Sequence, residues 1–179
     1  VHLPIKILDD RLLEKEKYFP HYAKHGDHGI DLRACIEKPV TLRPGDACKI
    51  GVGWAVDMAG GLQFPCLGGY GTERGWSNGG FAIPKSGLGD LGLVVGNLVG
   101  LIDAGYHGQI KVTAWHRGGY VVNADGTPGY ELPPITIHPM ERFSQLVFMP
   151  VVHPELIATN DFGHVTDRGE GGHGSTGTD

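Results

Sequence analysis

The sequence predicts an all-β protein, a barrel or sandwich, and three observations carry that prediction. Short apolar runs punctuated by Gly and Pro recur along the 179 residues. Cys48, Ile50, Val52, Trp54 and Val56 alternate strictly, as a strand with one buried face requires. Almost nowhere do apolar residues recur at helical spacing. Thirty glycines and twelve prolines then mean many turns, since apolar strands run throughout the chain. A chain of this length suits one domain with a sizeable core.

In order, Ile5 to Leu8 reads as a first strand. The Lys- and Glu-rich stretch up to Pro20 suits a helical turn or a surface loop equally. His28 to Ala34 opens the next strand, and Pro44-Gly45-Asp46 turns the chain into the alternating run that ends at Val56. From Gly96 to Gln109 an apolar run, Leu98 to Ile102, meets Asp103, Ala104-Gly105 and Tyr106 before a new strand at Ile110. That is a hairpin, with an aspartate and a tyrosine at the strand ends beside its turn. Strands follow at Ile135 to Ile137 and Phe143 to Val152. From Ala158 the pattern changes, and residues 161–179 are polar and glycine-laden, with little to pack, as in a mobile arm.

The net charge of −5 excludes a surface built to coat nucleic acid. Three cysteines, Cys35, Cys48 and Cys66, are odd in number and lack CxxC spacing, which favours a reduced intracellular protein. No apolar run reaches membrane-spanning length and no signal pattern opens the chain, so the expectation is a soluble cytoplasmic protein without membrane partners. His21, His25 and His28 invite a metal reading. Gly26 and Gly29 argue against the helix that would align them, and no further Cys or His group completes a tetrahedral set. They read as solvated loop residues.

Several blocks carry chemistry. A carboxylate such as Asp103 in a shallow pocket can activate water, and Tyr106 can wall a flat ligand. The same pair also suits an Asx-type turn with a packing ring. Lys85-Ser86-Gly87 supplies a cation, a hydroxyl and an approachable backbone N–H, the parts of a phosphate cradle, though an ordinary surface turn has them too. Arg168 to Gly177, RGEGGHGSTG, joins an arginine to hydroxyls and many backbone N–H groups; it is no Walker loop, and a flexible linker would share its composition.

HGIDLRA (28–34), PKSGLG (84–89), GNLVGLIDAGYHG (96–108), ERFSQLVF (141–148) and RGEGGHGSTG (168–177), in this order, resemble the five motifs of the trimeric dUTP diphosphatase (dUTPase) family. The resemblance spans nearly the whole chain. It implies a jelly-roll-like β subunit (a dUTPase-like β-clip), residues 1–157, that assembles as a homotrimer, followed by an arm, 158–179, that closes over bound nucleotide. Against the family layout, 59–80 and 118–134 look like insertions forming surface hairpins or loops.

The implied reaction is hydrolysis of dUTP to dUMP and pyrophosphate, which limits uracil in DNA and supplies dUMP for dTMP synthesis. A water held by Asp103 attacks the α-phosphorus in line. Mg²⁺, Lys85 and Arg168 absorb charge, and Gln145 helps position the triphosphate. Asp31 matches the family aspartate that reaches Mg²⁺ through water, the direct ligands coming from phosphates. Ser86, Gly87, Gly174 and Ser175 would line the phosphates. Asn97 with the backbone of Gly100, Leu101 and Ile102 would select uracil, and Tyr106 would pack on deoxyribose and exclude a 2′-hydroxyl. Lys111 is a lesser contact, and Arg142 an ion-pair partner that orients the site. Two positions depart from the family pattern. Lys85 stands for the usual Arg, losing the bidentate fork, and His173 stands for the base-stacking Phe. A dCTP deaminase of the same fold would need a glutamate at the base pocket, yet no Glu lies between Arg74 and Glu131. A nucleotide-sensing or structural trimer without catalysis is the remaining alternative.

Overall fold

The computed structural model describes residues 2–59, 76–119, 121–122, 125, 128–129 and 132–169. Its strands are β1 (Ile5–Ile7), β2 (Ile30–Arg33), β3 (Val40–Leu42), β4 (Ala47–Gly51), β5 (Trp54–Val56), β6 (Trp76–Pro84), β7 (Leu93–Val95), β8 (Gly100–Ile102), β9 (Lys111–His116), β10 (Val121–Val122), β11 (Pro128–Gly129), β12 (Ile135–Ile137) and β13 (Arg142–Val152). One short helix, α1 (Ser86–Asp90), follows β6.

The apolar run of β13 carries the largest sheet. It pairs with β6 in unbroken register from Ser144↔Pro84 to Val152↔Trp76, and on its other side with β2. β8 adds to the far side of β6, giving the order β2-β13-β6-β8. A second sheet, β4-β9-β7, packs its inward side chains against the first. Leu32, Ile50, Val52, Trp54, Met58, Leu93, Ile110 and Leu146 are fully buried between the sheets and under β5. Burying such side chains is worth roughly 1.5–3 kcal/mol each, the main driving force for the fold.

The polar stretch before Pro20 resolves into two 3-10 turns, Asp10–Leu13 and Glu16–Tyr18. Asp9 caps the first by accepting from the Arg11 backbone N–H at 3.1 Å, and Leu12 anchors it in the core. His21, His25 and His28 are exposed, as loop residues would be.

Two expectations need correction. The alternating run from Cys48 to Val56 is not one half-buried strand. It breaks between β4, which pairs with β9, and β5, which pairs with β1, and all three residues of β5 are buried. Gly53 makes the break: its φ is +76°, a left-handed value, and a Cβ there would stand 2.8 Å from Asp9 Cβ. The Gly53 carbonyl accepts from both Leu8 N and Asp9 N, tying the start of the chain to the bend. The other correction concerns 59–80. Residues 76–80 belong to β6, paired with β13 inside the main sheet, and are no surface loop. Their glycine content reflects crowding: a Cβ at Gly79 would meet Phe81 and Val151 at 2.9 Å. In 118–134, β10 and β11 form a two-stranded hairpin.

His116 pins the return from that hairpin. It is fully buried; its Nδ1 accepts from Gly118 N at 3.1 Å and its Nε2 lies 3.1 Å from the Pro133 carbonyl. That pattern requires the neutral ring with the proton on Nε2. His116→Ala is expected to cost about 2–4 kcal/mol, through a cavity plus two orphaned backbone groups, as a drop in denaturant midpoint at unchanged m-value.

Candidate functional site

Antiparallel register builds one group of site residues. Asp31 on β2 faces Gln145 on β13, which faces Ile83 on β6, so Lys85 follows two residues later beside both. Asp31 is the hub: one carboxylate oxygen pairs with the Lys85 ammonium, and the other accepts from Arg142 Nη1 at 3.0 Å. Burial works to raise its pKa, and the hydrogen bonds and charges of Lys85 and Arg142 more than offset that, holding the carboxyl below its ordinary value. Gln145 Nε2 donates to the Pro84 carbonyl at 2.9 Å, and Ser144 Oγ donates to Ile83 O at 2.8 Å. These bonds fix the strand end from which Lys85, Ser86 and Gly87 project. Ser86 and Gly87 open α1, and nothing lies within 4 Å of where a Gly87 Cβ would stand, so an anion can approach the backbone there.

Gly29 is part of this arrangement. A Cβ on it would come within 2.6 Å of Gln145 Oε1. Gly29→Ala is therefore expected to displace the glutamine amide and break its bond to Pro84 O, while Tm moves by only a few degrees. A crystal structure of the variant beside a melting curve checks both halves.

The hairpin forms the other group. Tyr106 N donates to Asp103 O at 3.0 Å, closing the turn, and Tyr106 Oη donates to Gln109 O at 2.9 Å, laying the ring over Gly108. Asp103 is exposed and Tyr106 is 44% exposed, so both are available to a ligand. On the hairpin strands Asn97, Gly100, Leu101, Ile102 and Lys111 line a cavity of about 310 Å³, to which Asp103 and Tyr106 do not contribute. Gly100 sits there because a Cβ would stand 3.2 Å from Ala82 Cβ on β6. Leu98, at φ 62°, holds a left-handed conformation that aims the backbone of the loop before β8.

The chain does not bring the two groups together. Ile102 pairs with Gly80, which places Asp103 level with Gly79, at the β8 edge of the main sheet. Asp31 lies on the β2 edge, level with Ile83. Three strand spacings of ~4.8 Å across and four residues of ~3.3 Å along separate them by roughly 20 Å.

Two neighbours escaped the sequence reading. Lys49 lines the hairpin cavity because β4 pairs Lys49 with Thr113 on β9. His107 reaches Asp57 at 3.2 Å and anchors the hairpin tip. Only the outward phase of β4 hinted at the first, and nothing local signalled the second. Arg168 lies in an exposed segment, in a turn closed by Gly169 N donating to Thr166 O at 3.0 Å. His173, Gly174 and Ser175 fall outside the described residues. Among the described residues no group of three or more His, Cys, Asp or Glu gathers to hold a metal, and no helix is long and apolar enough to cross a membrane.

A β fold that offers an open cavity along its hairpin strands and, apart from it, a lysine, a hydroxyl and an approachable backbone has the parts of a nucleotide-binding protein. Comparisons with known proteins make that class specific. A dUTPase family model matches residues 129–177. The deoxyuridine 5′-triphosphate nucleotidohydrolases of Burkholderia ambifaria and Ralstonia pickettii are each 40% identical over 176 residues, 98% of this chain and 97% of theirs. The dUTPase of Staphylococcus bacteriophage 80alpha, solved with dUPNHPP, superposes with a TM-score of 0.69 at 26% identity over 99% of both chains. The chain belongs to the dUTPase family, and it is a hydrolase of nucleotide metabolism.

Proposed function

We propose that the protein hydrolyses dUTP to dUMP and pyrophosphate, with Asp103 activating the water that attacks the α-phosphorus. The observation that carries this is the hairpin: a solvent-open carboxylate in the same turn as a hydrogen-bonded tyrosine ring, directly following strand residues that line a cavity of about 310 Å³. Asn97 and the backbone of β8 read the uracil edge, where cytosine would leave polar groups unpaired. Tyr106 packs against the sugar. Asp103 accepts the proton of the attacking water as its oxygen bonds to the α-phosphorus and the bond to the β-phosphate oxygen breaks. Hydrolysis at this position supplies dUMP and limits uracil in DNA.

Lys85, Ser86, Gly87 and Gln145 hold the triphosphate. Asp31 suits Mg²⁺ in one way only. Its two oxygens already serve Lys85 and Arg142, which leaves lone pairs for water but no open cage, so it would hold the ion through water. The ion, when bound, supplies charge neutralisation on the phosphates. Arg168 and the glycine-rich segment from His173 to Ser175 close over the phosphates as an arm, residues 158–179, excluding water from the site.

The roughly 20 Å between Asp103 and Asp31 is further than one triphosphate spans, which supports a homotrimer in which the hairpin of one copy meets the cradle of another. Pyrophosphate release from dUTP, without ammonia release from dCTP, is the test. Binding of dUTP without turnover would instead favour a sensing role. Mixing inactive Asp103→Asn and Lys85→Ala proteins is expected to restore part of the activity as hybrid sites form, and no recovery would count against shared sites.

A further inference from the structure

Arg142 also faces a cleft of about 470 Å³ between residues 17–23 and 139–142, which Lys85, Ser86 and Gln145 do not line. Lys17, Arg33 and Arg142 bring positive charge to it; Asp31 and Glu141 are its carboxylates. Both carboxylates are engaged. Asp31 serves Lys85 and Arg142, and Glu141 Oε2 accepts from His138 N at 2.8 Å. Arg33 makes its hydrogen bonds to carbonyls, Met140 O at 2.9 Å and Lys17 O at 2.6 Å. Its guanidinium lies 4.8 Å from the centre of the Tyr18 ring, with the ammonium groups of Lys15 and Lys17 at 5.1 and 5.7 Å from the same ring.

Such crowding is unfavourable without a counter-ion. A net charge of −5 makes this concentration of cations more pointed, because acidic surface elsewhere could have neutralised it. An oxyanion carrying several charges would relieve the repulsion and satisfy the remaining guanidinium donors in one step.

We infer that this cleft is a second anion site, taking a small free polyphosphate; it adjoins the triphosphate cradle through Asp31 and Arg142 and adds Lys17 and Arg33 as cations of its own. The inference goes beyond the proposed reaction, since it rests on the charges of the cleft and not on the identity of the substrate.

Calorimetric titration of the full chain tests it, with inorganic pyrophosphate as the probe. The protein is first saturated with dUPNHPP to fill the triphosphate cradle and then titrated at low ionic strength. One further pyrophosphate per chain is expected to bind, about tenfold or more weakly in Lys17→Glu, where a charge is reversed, and less weakened in Arg33→Lys, where charge is kept. Lys17 is exposed, so a matching circular dichroism spectrum is expected for that variant. No binding after saturation, or a Lys17→Glu affinity within twofold of the original, would overturn the second site. Failure of dUPNHPP itself to bind would count against the proposed function alone. Pyrophosphate binding to Lys85→Ala, with and without Lys17→Glu, would then read the cleft directly.

Discussion

Asp103→Asn is expected to lower kcat for dUTP by about 10²–10⁴-fold, the usual worth of a positioned general base, with KM changed little. Asparagine preserves the shape of the turn and can still accept a hydrogen bond, so the backbone bond from Tyr106 N to Asp103 O survives. What it cannot do is take a proton from water. The loss therefore belongs in the chemical step, and single-turnover rates should fall with kcat. Asp103 is exposed, so the melting temperature should stay within a degree or two. A drop in both stability and activity would place the residue in the turn's architecture instead.

Asp31→Asn should give the next largest effect, on activity and stability together. The carboxylate separates Lys85 from Arg142, accepting from one on each oxygen. Without its charge the two cations face one another across a neutral amide. Loss of charge-assisted bonds costs about 1–2 kcal/mol here, below the figure for a fully buried pair because Arg142 is half exposed. Activity should fall by about 10–100-fold, the range for residues that orient a metal or phosphate site without ligating it directly. The sign of the pH dependence follows from the depressed carboxyl. A folded pKa lowered from 3.8 adds stability that is complete above the unfolded value and disappears as pH falls through the folded one. Urea unfolding of the original protein should thus weaken below about pH 4 more steeply than that of Asp31→Asn.

Local patterns in the sequence were enough for the β class, and they were enough to name the candidate residues of hairpin and cradle because each is a contiguous motif. Asp103 and Tyr106 bracket one turn, and Lys85, Ser86 and Gly87 follow one strand. Long-range register is a different matter. That Asp31 faces Gln145, or that Lys49 reaches the cavity of Asn97, depends on strand partners far away in the chain. The two corrected expectations have related causes. Alternation from Cys48 to Val56 suggested one strand because a bend at Gly53 moves β5 into another sheet without disturbing the apolar pattern. Glycine at 79 and 80 suggested a loop, although close packing against Phe81, Val151 and Ile102 excludes larger residues there. The separation of the two groups was invisible too, since motifs in series say nothing about how far apart the fold places them.

The central claim is that a water held by Asp103 attacks the α-phosphorus, and hydrolysis in ¹⁸O-labelled water followed by mass spectrometry of both products tests it most directly. The account predicts one labelled oxygen in dUMP and none in pyrophosphate. Label found only in pyrophosphate would place the attack at the β-phosphorus and contradict it.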